Sequence, residues 1–304
     1  MVSVIWAMLA TGCGHLMGMN HNFSEKLIGF VDVLGFKDMV IAAENGTGRP
    51  LSEIREILAE LDRTKGKEFF AEYGPEICPA TMYVQKGLDF QSTQASDCVI
   101  VSSEISPAGA INLIKQCWSA AMMLLTKGVM VRGYIARGKI FHEGTEFFGT
   151  GYQNAYDREN NGGVTAFKRT ADEKGTPFIE IDPIICDYVA QETDDCVREM
   201  FNRFTKSDGE VTAIFPFKRL AHSFVIGGFG MPPFDPDKEK TNNNQVRRMI
   251  IDFKNQILSY SDPTNARAAQ KVEHYVAALD EQLRGCDHTD ETIDALRRPF
   301  GRTL

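Results

Sequence analysis

Short apolar runs and helix-period stripes alternate along the first half of the chain. Residues 27–33 (LIGFVDV) are apolar except for Gly29 and Asp32, the pattern of a central strand buried on both faces. Gly35 turns the chain, residues 36–43 continue as a short helix, and 45–50 (NGTGRP) is a turn cluster. Ser52 is placed to cap a helix whose Ile54, Ile57, Leu58 and Leu61 share one face. Residues 73–88 carry no clear period. Residues 89–94 and 98–102 flank Ala95-Ser96-Asp97 and predict a hairpin with the aspartate at its tip. The strongest helix follows, with Ser106 as N-cap, Pro107 at the first position, an apolar stripe of Ile111, Ile114, Trp118, Met122 and Leu125, and Gly128 as the stop. Residues 129–137 and 139–148 predict a second hairpin turning at Gly138, and a helix from about Gly149 carries Tyr152, Ala155, Tyr156 and Glu159.

This order predicts an α+β fold, a ferredoxin-like βαββαβ core with helical additions after it. Residues 178–181 and 223–226 predict edge strands. Two helices are expected near 244–259 and 263–284, the second capped by Asp262 with Pro263 at its first position. The expected organisation is an N-terminal extension over 1–22, a core over 23–180 and a C-terminal extension over 181–304. Residues 4–19 are apolar but interrupted by Gly12, Gly14, His15 and Gly18, with no Lys or Arg before them. That is a poor signal peptide and too short a span for a bilayer, so the expectation is a disordered segment or an over-long start near Met17 or Met19.

Charge narrows the partners. Among 304 residues, 41 acidic side chains face 33 basic ones for a net charge of −8, with no long basic run, so nucleic-acid binding is not expected. No stretch predicts a membrane span. The 7 cysteines show no CxxC pair or regular spacing, which reads as reduced thiols in a cytoplasmic protein. Zinc-finger spacing, HExxH and GxxxxGK[ST] are all absent.

Asp32 is the first candidate for chemistry, because an unpaired carboxylate in an apolar strand costs several kcal/mol. A salt bridge to an arginine or a capping bond to the turn at Gly35 would offset that cost as well as a functional role would. Asp97 alone reads as a turn residue. In a βαββαβ order, however, the returning hairpin strand lies beside the first strand, and the two carboxylates meet. They repel unless a cation lies between them, and a hard oxygen site of this kind suits Mg²⁺ or Mn²⁺. Val33, Leu34, Gly35 and Phe36 then lead into a helix N-terminus, where backbone N–H groups and the helix dipole favour phosphate.

These residues lie in four strings: FVDVLGFKDMV (30–40), SDCVIVSS (96–103), VRGYIARGKIFHEG (131–144) and FFGTGYQNAYDRE (147–159). In that order they resemble the catalytic core of class III nucleotidyl cyclases, most closely the bacterial pyrimidine cyclases of the Pycsar anti-phage system, over about residues 25–160. The resemblance implies that Asp32 and Asp97 bind two Mg²⁺ or Mn²⁺ ions, with the Val33 carbonyl completing a metal site. It also implies a homodimer with active sites at the interface. UTP or CTP would be the substrate, and the cyclic product would act on a separate effector. Arg132, Arg137 and Lys139 are the nearest cations to recruit, either arginine reading equally well as a surface strand cation. Arg132 and Arg137 differ by an odd number of positions and so face opposite sides of a regular strand. Tyr156 and Tyr152 would border a base, or simply pack, at i and i+4.

Two features depart from the family. Purine cyclases carry an Asn and, four residues later, an Arg on the helix after the last hairpin. Aligned at Gly149, this chain has Gln153 and Asp157 there, with Asn154 and Arg158 one step along. The base-selecting Lys and Asp of adenylyl cyclases have no obvious counterpart. A purine cyclase of the same fold and a non-catalytic nucleotide-binding or dimerisation module are the alternatives. His142 and Glu143 read as hairpin surface residues.

Overall fold

Strand β1 (Ser24–Val33) is central because six consecutive residues from Leu27 to Asp32, charged only at the last, leave neither face for water, and all but Asp32 are buried. The computed structural model describes residues 22–61, 87–220, 234–261 and 264–297. After β1 come helices α1 (Phe36–Glu44) and α2 (Leu51–Leu61), the hairpin β2 (Phe90–Ala95) and β3 (Cys98–Glu104), helix α3 (Pro107–Leu125), strands β4 (Val131–Glu143) and β5 (Glu146–Phe148), and helix α4 (Thr150–Asn160). Strand β6 (Ile179–Ile181), helices α5 (Pro183–Ala190) and α6 (Asp195–Phe204), strands β7 (Thr205–Ser207) and β8 (Thr212–Ile214), a 3-10 turn (Pro216–Arg219), and helices α7 (Pro236–Tyr260) and α8 (Ala266–Arg297) complete the described chain.

The strands form one mixed sheet in the order β2-β3-β1-β4-β6-β8-β7, with β5 hairpinned onto β4. β1 runs antiparallel to both β3 and β4, so each early crossover straddles a strand, while β4 and β6 are parallel. Alternation along β1 divides the side chains between two faces. Leu27, Val31 and Val33 join Val99, Val101 and Ile135 against Ile111, Leu113, Ile114 and Leu124 of α3. Ile28 and Phe30 join Ile100, Tyr134 and Ala136 under Ala155 of α4. The C-terminal helices build a further core, in which Tyr275, Leu279, Phe253 and Ile257 meet Phe178, Phe215 and Phe217.

Several expectations change. The hairpin turn at Gly138 is absent: β4 runs unbroken for 13 residues and turns after Glu143. Gly138 instead lets α4 approach, since a Cβ there would lie 2.7 Å from the Gly151 Cα. A Cβ on Gly151 would meet Ile28 Cδ1 at 2.4 Å and the Gly138 carbonyl carbon at 2.8 Å. Gly151→Ala is therefore expected to lower stability by about 1–3 kcal/mol, measured by chemical denaturation. Residues 178–181 do not make an edge, because β6 lies between β4 and β8; 223–226 fall outside the described residues. Ser52 lies inside α2, which starts at Leu51 with the Pro50 carbonyl accepting from Glu53 and Ile54. Helix α7 begins earlier than its apolar period suggests, at Pro236, capped by the Asp235 carboxylate. Asp262 and Pro263 lie outside the described residues; Asn265 accepts from the N–H groups of Arg267 and Ala268 at the start of α8. Ser106 and Pro107 open α3 as the sequence predicts, with the serine accepting from Gly109. Cys98, Cys117, Cys186 and Cys286 form no disulfide. Cys196 is disulfide-bonded, unlike the expectation of reduced thiols throughout.

Candidate functional site

One turn of backbone brings the two aspartates together. Ser96 adopts the left-handed conformation (φ 56°), which closes the β2–β3 hairpin on Asp97. The Asp97 carbonyl then accepts from the Val33 N–H at 3.1 Å, tying the hairpin tip to the end of β1. In register, Asp32 stands between Cys98 of β3 and Arg132 of β4. Directly opposed residues in antiparallel pairs hold their Cβ atoms about 5 Å apart. Asp32 therefore points to the α4 face, as Ile28 and Phe30 do, with Arg132 beside it.

The electrostatics of that corner are dominated by negative charge. Burial, then Glu159, then Asp97 push the Asp32 carboxyl up to about 7, against the opposing pull of Arg132. Near neutral pH this carboxyl is poised between its two forms, and a cation beside it would drive the proton off. The same burial, with Asp32 and Asp97, pushes the Cys98 thiol up to about 12. That thiol donates to the Ala95 carbonyl at 3.0 Å, so it is held protonated and is no nucleophile at neutral pH.

Beyond Val33, the Leu34 N–H donates to Met130 at 3.0 Å, and Gly35 takes the left-handed N-cap position of α1 (φ 74°) with no side chain capping the helix. Phe36 begins α1, so the helix N-terminus opens close to Asp32, where its dipole favours an anion.

The two strand arginines part company. Arg132 is ion-paired with Glu159, which is only 1% exposed on the inner face of α4. Arg137 opposes Leu27 on the other face and donates to Glu25 at 2.8 Å. It lies five positions along β4 from Arg132, about 16 Å away, so the structure does not bring it to Asp32. Lys139, paired in register with Glu25 and exposed, stays with it. Tyr156 lies at the rim: its ring is 5.5 Å from Phe30 and 6.2 Å from Tyr152, and it is 40% exposed. On the same helix Gln153, Asn154, Asp157 and Arg158 are all exposed, and the Arg158 guanidinium lies 5.5 Å over the Tyr134 ring.

Glu159 is the site residue that sequence reasoning placed on a helix without a role. Its signal was present: Gly151, Ala155 and Glu159 recur at four-residue spacing, which puts an acid on the buried stripe of α4. His142 is a correction, since it is buried rather than on the surface. Its Nδ1 lies 2.8 Å from the Ser102 hydroxyl and its Nε2 2.9 Å from that of Thr93. The Thr93 hydroxyl also donates to the Gly144 carbonyl at 2.6 Å, tying the same contact to the turn after β4. The ring braces β2, β3 and β4; Glu143 stays exposed at the strand end.

Asp32 and Asp97 set two hard carboxylate donors beside an uncapped helix N-terminus, the donor chemistry that Mg²⁺ and Mn²⁺ prefer. Among the described residues no three His, Cys, Asp or Glu side chains converge as metal ligands. Neither a family model nor a curated protein matches the chain.

Proposed function

We propose that the protein is a nucleotide cyclase of the class III kind, converting UTP or CTP to the 3′,5′-cyclic monophosphate and diphosphate. One observation carries the reading: Asp32 at the end of β1 and Asp97 at the tip of the β2–β3 hairpin lie beside the N-terminus of α1 with Arg132 on the same face as Asp32. In this reading Asp32, Asp97 and the Val33 carbonyl would hold two Mg²⁺ or Mn²⁺ ions, which when bound would acidify the ribose 3′-hydroxyl and neutralise charge on the phosphates. The α1 N-terminus, with Leu34, Gly35 and Phe36, cradles phosphate oxygens, and Arg132, oriented by Glu159, adds positive charge. Phosphoryl transfer needs this positioning and charge more than covalent chemistry. Tyr156 borders the base.

The reading carries with it a homodimer with its sites at the subunit interface, and a cytoplasmic second messenger acting on a separate effector in anti-phage defence. No helix among the described residues is long and apolar enough to cross a membrane. Incubating the purified protein with each of the four NTPs and Mn²⁺, followed by mass spectrometry, is expected to yield cyclic UMP or cyclic CMP. Cyclic AMP or cyclic GMP as the main product overturns the pyrimidine assignment, and no cyclic product from any NTP overturns the cyclase.

A further inference from the structure

The corner around Asp32 holds three carboxyl groups, Asp32, Asp97 and Glu159, and Arg132 beside them is already paired with Glu159. Helix α8 brings a further cation there. Tyr275 is fully buried against Phe217 (4.9 Å) and Phe178 (6.1 Å), and its hydroxyl shares a hydrogen bond with the backbone of Val131, the residue before Arg132. Next to it, His274 Nε2 lies 2.5 Å from Glu173 Oε1 in a buried pair, and Arg169 reaches the Glu273 carboxylate at 3.2 Å. The loop that carries Arg169 and Glu173 then places Gly175 against Arg132, where a Cβ would lie 3.0 Å from Nη1. Helix and loop are thus fastened to the strand that carries Arg132.

Lys271 precedes Tyr275 by one helical turn, so it shares that inward face, and helical side chains lean toward the N-terminus. It is half-buried, and among the described residues its ammonium makes no hydrogen bond or ion pair. Its charge is nevertheless felt at the site. Burial, Arg132 and Arg267 hold it below the usual lysine range, while Glu159 and Asp32 pull the other way. A half-buried ammonium without a hydrogen-bonding partner is costly, and a multiply charged oxyanion would supply one.

We propose that Lys271, carried by the C-terminal helix onto the Asp32 face, contacts the phosphate chain of the substrate beside Arg132. The proposal rests on the nucleoside triphosphate reading above, and it gives the C-terminal extension a part in the site.

Inorganic tripolyphosphate, which lacks base and ribose, is the probe. Its affinity for the full chain with Mn²⁺ is measured by calorimetry alongside NTP turnover. Lys271→Gln is expected to weaken tripolyphosphate binding about tenfold. Lys271→Arg should stay within about threefold of wild type and show that the helix still docks, and Lys127→Gln, on the surface beside Glu56, should match wild type. Unchanged affinity in Lys271→Gln overturns the assignment, as does a wild-type protein with no affinity for tripolyphosphate. Binding that depends on Lys271 without any cyclic product leaves the lysine contact standing and refutes the cyclase alone.

Discussion

Asp32→Ala and Asp97→Ala are each expected to lower cyclic nucleotide formation by roughly a thousandfold while leaving a folded protein. The second half of that expectation follows from the electrostatics. The Asp32 carboxyl is held up near 7 by burial and by its acidic neighbours, so its ionised form burdens the metal-free fold rather than supporting it. Asp97 fixes the hairpin through its backbone carbonyl, which alanine keeps. Activity by product mass spectrometry and melting by circular dichroism separate the two effects. Turnover within tenfold of wild type in either variant refutes the paired-aspartate site.

Arg132→Ala is expected to have the largest effect on stability, about 3–5 kcal/mol, because it strands Glu159 as a buried, unpaired carboxylate. Replacing both partners, Arg132→Ala with Glu159→Gln, removes the stranded charge and is expected to recover most of that loss without recovering activity. Urea denaturation of the two single variants and the double one closes the cycle. A double variant no more stable than Arg132→Ala would mean that the pair does not carry the effect.

The parts of the fold written in local pattern were legible in the sequence. The apolar run of β1, the hairpin around Asp97 and the capped helix α3 each announce themselves through residues that act on their immediate neighbours. From these the pairing of the hairpin with β1 followed, and with it the meeting of Asp32 and Asp97. Gly138 misled for a physical reason: a glycine in a strand marks either a turn or a close approach, and only the position of α4 decides between them. Arg137 was rightly assigned the opposite face by parity, but its distance along β4 became visible only with the register. Lys271 was illegible, because its place depends on how a distant helix docks through Tyr275 and His274, and no local period encodes that docking.

The bond between Tyr275 and Val131 also sets an order of events during synthesis. Every strand that touches β1 has left the ribosome well before α8, so the sheet and its aspartates can assemble first. At translation rates of about 5–20 residues per second, Tyr275 follows the end of β4 by on the order of ten seconds. For that interval the nascent chain carries the aspartate pair while Phe178, Phe215 and Phe217 still lack the cover of α8 and the Val131 backbone lacks its bond to Tyr275.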